Sequence, residues 1–347
     1  MILVHRACLI SLLALSSGRR TLSSRIPVVT SSKFAQMHLP PPGSHVELPE
    51  RVGVSIDYLS SSEYAEMRMV DDGKGGLDED KYERALRVIE TVHDGDYIDE
   101  VQMACSRGLR ALSPWDSDTY VSKSSFNCFV LAQSAWLDCI DTTLTSKTPS
   151  FALSRPPGHH ALKSRSCGFC VFNYAVGAAQ YALEMEGVEK VSILDWDVHF
   201  GNGVSALVAD KTNIRYASTH QLDIFPGGMS SEEKWTGPQG NLLNVGIEAG
   251  SGKDVYLSAL ADTILPFLLH DDSHSPDLLI VCAGYDALAS DPMANVSLQP
   301  EDFYEITRLI KDKTEGVPIC LGLEGGYNLD DLPVAIEHTL KALSENL

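Results

Sequence analysis

Five apolar runs in this chain each end in a loop rich in His, Asp or Tyr, and that arrangement constrains the fold more than any single motif does. "SFAL" (150–153) runs into "SRPPGHHA", "VSIL" into "DWDVHFGNG", "IRYAS" into "THQ", "LLIVCA" into "GYDALASDPM" and "ICLGL" into "EGGYN". Short apolar runs without polar alternation suit strands buried on both faces, as in parallel sheets. Segments of helical periodicity lie among them at 78–91, 125–143, 174–185, 254–269, 300–313 and 331–343, and Pro333 falls in the first turn of the last, where a missing N–H costs little. With "IPVV" and "LLNVGI" as further strands, the alternation predicts parallel βαβ units. Loops at the carboxyl ends of such a sheet converge on one crevice, so the polar residues of five loops are expected at one site.

No repeat, low-complexity tract or linker divides the chain after about Ile26, so residues 26–347 are expected to form one domain; with 347 residues, 44% of them apolar, the chain can bury a large core. Lys plus Arg number 27 against 47 Asp plus Glu, a formal charge of -20 that phosphate backbones repel; direct nucleic-acid binding is not expected. The eight cysteines are scattered and read as mostly reduced core thiols; Cys167 and Cys170 in "CGFC" have redox or zinc-knuckle spacing, but no second pair accompanies them. Residues 1–25 differ in kind. They carry Arg6, Arg19, Arg20 and Arg25, several serines and no acid, the first acidic residue being Glu47. That composition predicts a presequence for import into an organelle, mitochondrion or plastid; the apolar piece 7–15 is too short to span a bilayer and leaves a secretory signal, or a cytoplasmic protein with a basic tail, as the alternatives.

Asp197 and His199 directly follow a strand two positions apart and can point to one side, an oxygen and a nitrogen for a borderline metal such as zinc. Asp286, at the end of another strand, can supply a third ligand, and three protein ligands leave positions open for water and substrate. His159 and His160 follow Arg155-Pro156-Pro157-Gly158, a stiff turn able to hold both imidazoles at one site as general base and acid, with Asp195 and Asn202 as partners for their far nitrogens. Tyr327, after two glycines, can donate to an oxyanion. Phe169, Phe225 and Met293 can line an apolar slot. Each motif alone has a bland explanation, a hydrogen-bonded cap or a core side chain. Together they suit hydrolysis of an amide or ester at the end of a long aliphatic arm.

The ordered set "RPPGHHA", "GFCVFN", "DWDVHFGNG", "STHQ…FPGG", "AGYDALASDPM" and "LEGGYN", with "PPPGSHVELPERV" upstream, resembles the histone deacetylase and acetylpolyamine amidohydrolase superfamily. The likeness runs from about Ile26 to Leu347, is class II-like, and is similar to the plant and algal organellar members. The resemblance implies the arginase/deacetylase fold, a single open αβα sandwich around an eight-stranded parallel sheet. It implies one zinc ion held by Asp197, His199 and Asp286, with His160 as general base and acid, His159 as its electrostatic companion, Asp195 and Asn202 orienting them, and Tyr327 as oxyanion donor. Gly168 matches the position whose carbonyl receives the substrate amide, Phe169, Phe225 and Met293 match tunnel walls, and Asp118 matches the rim acid that grips the substrate backbone. A structural potassium ion near Asp195, Asp197, His199, Ser218 and Thr219 is a further implication.

Three departures stand out. Phe200 replaces a common second histidine that is not a ligand; Val46 replaces the proline of "HPE", which is expected to loosen the first active-site loop; and Met293 replaces the acid of polyamine-specific members. The expected activity is therefore zinc-dependent removal of acetyl groups from lysine side chains of acetylated proteins or peptides. Deacetylation of small N-acetyl amines such as acetylpolyamines is the alternative, and a non-catalytic acyl-lysine binder would not need the full set of groups. Arginase-like binuclear manganese chemistry needs further carboxylates after His199, which "HFGNG" lacks.

Overall fold

Each apolar run picked out above is a strand in the computed structural model, which describes residues 24–43, 45–71, 76–108, 111–113, 116–227, 236–269 and 275–345. The presequence expected over 1–25 lies outside the described residues except for its last two. In chain order the strands are β1 (Ile26–Thr30), β2 (Ala65–Met69), β3 (Ala111–Ser113), β4 (Asp116–Tyr120), β5 (Ser150–Ala152), β6 (Val191–Asp195), β7 (Ile214–Gln221), β8 (Leu242–Ile247), β9 (Leu278–Ala283) and β10 (Ile319–Leu323). The helices are α1 (Glu50–Leu59), α2 (Glu79–Val92), α3 (Gly95–Arg107), α4 (Ser125–Ser146), α5 (Tyr174–Leu183), α6 (Asn202–Val208), α7 (Lys253–Ala259), α8 (Leu265–Leu269), α9 (Asp302–Thr314) and α10 (Asp331–Ser344), with a π-helical turn (Leu260–Ile264) joining α7 to α8.

Among the described residues, eight strands form one parallel sheet in the order β2-β1-β5-β10-β9-β6-β7-β8, and β3 and β4 form a separate antiparallel pair. The five strands whose loops carry His, Asp or Tyr are neighbours in that order, from β5 to β7. Parallel pairing points all their carboxyl ends the same way, so the five loops meet by topology. Asp195 is paired with Ser218 on one side and Cys282 on the other, which fixes the level at which the polar loops begin.

Every residue of β1, β5, β6, β9 and β10 is buried, because helices cover both faces. One layer holds α2, α4 and α5; the other holds α1, α9, α10 and the α7–α8 helix. Helix α2 shows how such a layer is encoded: Asp78 caps it by accepting the Lys81 N–H at 2.8 Å, and Ala85, Val88, Ile89 and Val92 form its buried stripe. No helix among the described residues is long and apolar enough to cross a membrane.

The structure differs from the sequence reading in detail. Thr219, His220 and Gln221, expected in a loop, continue β7 and pair with β8 through Gln221. The edge strand β2, the β3–β4 pair and helices α1, α3 and α6 were not expected.

Candidate active site

The loop after β5 brings His159 and His160 together, ring centroids 3.9 Å apart. His159 Nδ1 meets Asp195 Oδ2 at 3.1 Å, and His160 Nδ1 meets Asn202 Oδ1 at 2.7 Å. Asn202 opens α6, and the Asp195 carboxylate is itself held by the Tyr216 hydroxyl at 3.0 Å. These bonds fix both rings. Burial opposes charge on His159, but the Asp197 and Asp195 carboxylates outweigh it and hold this imidazole well above its ordinary pKa. Burial, then the imidazoles of His159 and His199, push His160 well below. Adjacent histidines of opposite tendency are the arrangement acid–base chemistry uses.

Asp197, His199 and Asp286 offer ligand atoms all within 4.8 Å of one another, and all three residues are buried. His199 Nδ1 lies 3.2 Å from Asp197 Oδ1 and 2.9 Å from Asp286 Oδ2. Backbone amides pre-set the carboxylates: Val198 donates to Asp286 Oδ1 at 2.9 Å, His199 to Asp197 Oδ1 at 2.9 Å and Gly325 to Asp197 Oδ2 at 2.8 Å. Burial opposes charge on His199, but the Asp286 and Asp197 carboxylates hold it up to about 10; burial, then the Asp197 charge, pushes Asp286 up. Among the described residues no Lys or Arg pairs with Asp195, Asp197 or Asp286. Two dry carboxylates against one imidazole leave negative charge that a divalent cation offsets, and the mixed nitrogen and oxygen donors suit zinc. A second group, His159, Cys170 and Glu324, is equally close and partly engaged: Glu324 Oε2 accepts the Gly158 and His159 amides at 2.6 and 3.1 Å and the Cys170 thiol donates to the Gly168 carbonyl at 3.3 Å, while Glu324 Oε1 is buried without a hydrogen bond among the described residues.

A cavity of about 220 Å³ above the cluster is lined by Asp118, His159, His160, Gly168, Phe169, His199, Phe225, Met293 and Tyr327. The Phe225 ring stands edge-on to His160 at 4.9 Å, and the Phe169 ring edge-on to Tyr327 at 5.7 Å. Gly168 and Phe169 both adopt positive φ in a tight turn closed by mutual hydrogen bonds between Cys167 and Cys170. A side chain at Gly168 would also meet His160 Cδ2 and Phe225 Cε1 at 2.6 Å, so only glycine fits there. Burial pushes the Tyr327 phenol well up and keeps it a donor, a shift that Arg51 tempers. Every site residue expected from the sequence thus lines the cavity, belongs to the carboxylate cluster, or is bonded to a group that does. Phe200 is buried against His220, away from the ligand cluster.

A family model described as "Histone deacetylase domain" matches residues 45–343. The chain belongs to the histone deacetylase family. Three curated proteins show the range of the likeness. It is 42% identical over 251 residues to Uncharacterized protein slr0245 of Synechocystis, covering 72% of this chain and 79% of that one. It is 33% identical over 316 residues to Histone deacetylase 10, chloroplastic, of rice, covering 86% and 69%. It is 30% identical over 313 residues to Polyamine deacetylase HDAC10 of human, covering 87% of this chain but only 45% of that one. A crystal structure of the HDA15 HD domain superposes with a TM-score of 0.79 at 27% identity, covering 92% of this chain and 90% of that one. The eight-stranded sheet is therefore that of the arginase/deacetylase fold, and the protein is a hydrolase of the histone deacetylase family.

Sequence reasoning missed several residues that hold this histone deacetylase site together. Arg51 places its guanidinium 4.6 Å from the Tyr327 ring centroid and donates to the Glu324 and Gly326 carbonyls. Arg155 grips the Glu47 carboxylate through Nε at 2.8 Å and Nη2 at 2.6 Å. Residues on both sides of Val46 are tied down: His45 Nδ1 accepts the Glu47 amide at 3.0 Å and its Nε2 lies 2.9 Å from the Asp118 carbonyl. The motifs contained Arg51, Arg155 and Glu324, but apart from Glu47, four residues before Arg51, their partners are groups distant in sequence that no local spacing marks.

Proposed function

We propose that this hydrolase is zinc-dependent and removes acetyl groups from N6-acetyl-lysine side chains of proteins and peptides. The cleft carries the reading: Phe169, Phe225 and Met293 wall a narrow passage that ends at His159, His160, His199 and Tyr327 and has Asp118 at its mouth. An unbranched aliphatic arm with an amide at its tip suits that shape. Asp197, His199 and Asp286 would hold the zinc ion, which when bound polarises the scissile carbonyl and activates water. His160, whose Nδ1–H donates to Asn202 Oδ1, keeps Nε2 free to take a proton from the attacking water and return it to the leaving amine. His159, fixed by Asp195, supplies positive charge beside it. The Tyr327 phenol donates to the oxyanion, the Gly168 carbonyl receives the amide N–H, and Asp118 holds the substrate backbone at the rim. A structural potassium ion near Asp195 and Ser218 belongs to the same proposal; Thr219 Oγ1, next to Ser218, is buried without a hydrogen bond among the described residues.

Small acetylated amines are the second reading, supported by the likeness to a protein named as a polyamine deacetylase. The neutral Met293 in the cavity wall weighs against it. The test is acetate release from acetyl-lysine peptides and acetylpolyamines side by side. We expect the peptide to be preferred and Tyr327→Phe to lower kcat by about 100- to 1000-fold. A folded, zinc-loaded but inert protein overturns the reading, and preference for the polyamine moves it to the second. Residues 1–25 are proposed to direct import into a mitochondrion or plastid, supported by their composition and the chloroplastic rice relative. A fluorescent fusion of about the first 40 residues that stays cytosolic refutes this.

A further inference from the structure

Asp291, on the turn after β9, is 6% exposed, and among the described residues it forms no ion pair with Lys or Arg. Its carboxylate instead faces two backbone amides: Oδ1 receives the Met293 N–H at 2.9 Å and Oδ2 receives the Tyr327 N–H at 2.6 Å. The same two loops are stitched again alongside, by Asn328 Nδ2 donating to the Ser290 carbonyl at 3.1 Å and by Ser290 Oγ donating to Asp331 Oδ2 at 2.6 Å. Burying an aspartate to receive only amides is costly, and an apolar residue would fill the space more cheaply. What distinguishes this one is the identity of the amides. One belongs to the residue that walls the cavity beside the acyl group, the other to the phenol donor.

We propose that Asp291 is a positioning residue that couples the acyl-chain wall to the oxyanion donor, one carboxylate setting the backbone of Met293 and of Tyr327 together. The inference rests on the role proposed for Tyr327 above. A carboxylate accepts two N–H groups at once, one on each oxygen, whereas Asn accepts at one side and turns an NH2 toward the other amide. Asp291→Asn therefore removes one arm of the clamp with almost no change of volume.

The test uses the full chain carrying Asp291→Asn, next to wild type and Tyr327→Phe, with acetyl-lysine and butyryl-lysine peptides. Displacing the phenol should lower kcat on the acetyl peptide by about 10- to 100-fold. Releasing the Met293 wall should shift the butyryl-to-acetyl ratio of kcat/KM by about fivefold or more. Tyr327→Phe should lower both rates and leave the ratio unchanged. Partial unfolding also scales both substrates equally, so only a shifted ratio marks a positioning role. Hydrogen exchange gives a readout free of activity: the Tyr327 and Met293 amides should be protected in wild type, and at least one should exchange faster in Asp291→Asn. Wild-type kcat and ratio in the variant, or unchanged protection of both amides, overturns the inference. If wild type cleaves no acyl-lysine, the proposed function falls, and hydrogen exchange alone decides whether the clamp exists.

Discussion

Two buried clusters of charge grip the same loop, residues 324–327, and they are built on opposite plans. Arg51 holds the Glu324 and Gly326 carbonyls, and its own cluster contains both signs of charge: the Glu47 carboxylate is shared by Arg155, by Arg51 at 3.2 Å and by the Tyr120 hydroxyl at 3.1 Å, while main-chain carbonyls take further N–H groups of both guanidiniums. Asp197 holds the Gly325 amide between those two carbonyls, but among the described residues Asp195, Asp197 and Asp286 meet only imidazoles, the Tyr216 hydroxyl and amides. The difference teaches how to tell scaffold from receptor in a dry interior. The first cluster holds cations and an anion in mutual contact; in the second, among the described residues, acids outnumber imidazoles and no Lys or Arg joins them, the complement being what the proposed zinc ion would supply.

The largest effect should follow from removing that complement. Exhaustive chelation, with loss of metal checked by elemental analysis, should lower hydrolysis by at least about 1000-fold. Zinc should restore it, and the far-UV circular dichroism should not change. Undiminished hydrolysis after proven metal loss would break the comparison. Next comes Glu47→Gln, which strands two guanidiniums and should cost about 3–5 kcal/mol in urea unfolding. Asp286→Asn in the metal-free protein should move the other way, raising the midpoint by relieving unbalanced charge, so equal signs for the two variants refute the distinction. The same cluster also sets a dependence on pH. Burial alone would raise the Glu47 carboxyl, but Arg155 outweighs it and holds the group well below the carboxylate range. The unfolded chain therefore takes up a proton that the folded one refuses, so this stability is present above about pH 4.3 and lost as pH falls below it. His38, in the same cluster and pushed down to about 3 by burial and by Arg155, adds a loss of the same sign that starts near pH 6.5. Unfolding free energies that do not fall on acidification would contradict both.

The central sheet was legible because strands covered on both faces are apolar throughout, and β6 and β9 announce themselves without any motif. Its edge was not. In β2, "AEMRM", Glu66 and Arg68 pair with each other at 3.0 Å across exposed positions, which hides the strand from any apolar pattern. Helix α1 was obscured for the reverse reason: its buried face carries Arg51 and Ser55 beside Val52 and Leu59. At the site, residues whose chemistry is in their side chains, such as His159 or Tyr327, could be read from type and place. Asp291 and Glu324 could not, because each acts on at least one main-chain amide contributed by another loop, and an amide looks alike in every residue.

The three amides that fix Asp197 and Asp286 carry one more consequence. These donors lie in the loops just past β6 and β10, and the folded chain alone orients the carboxylates. Capture of the proposed zinc ion would then be a docking event on a finished surface rather than a step in folding, and the folded fraction of the metal-free chain in urea is the measurement that checks it.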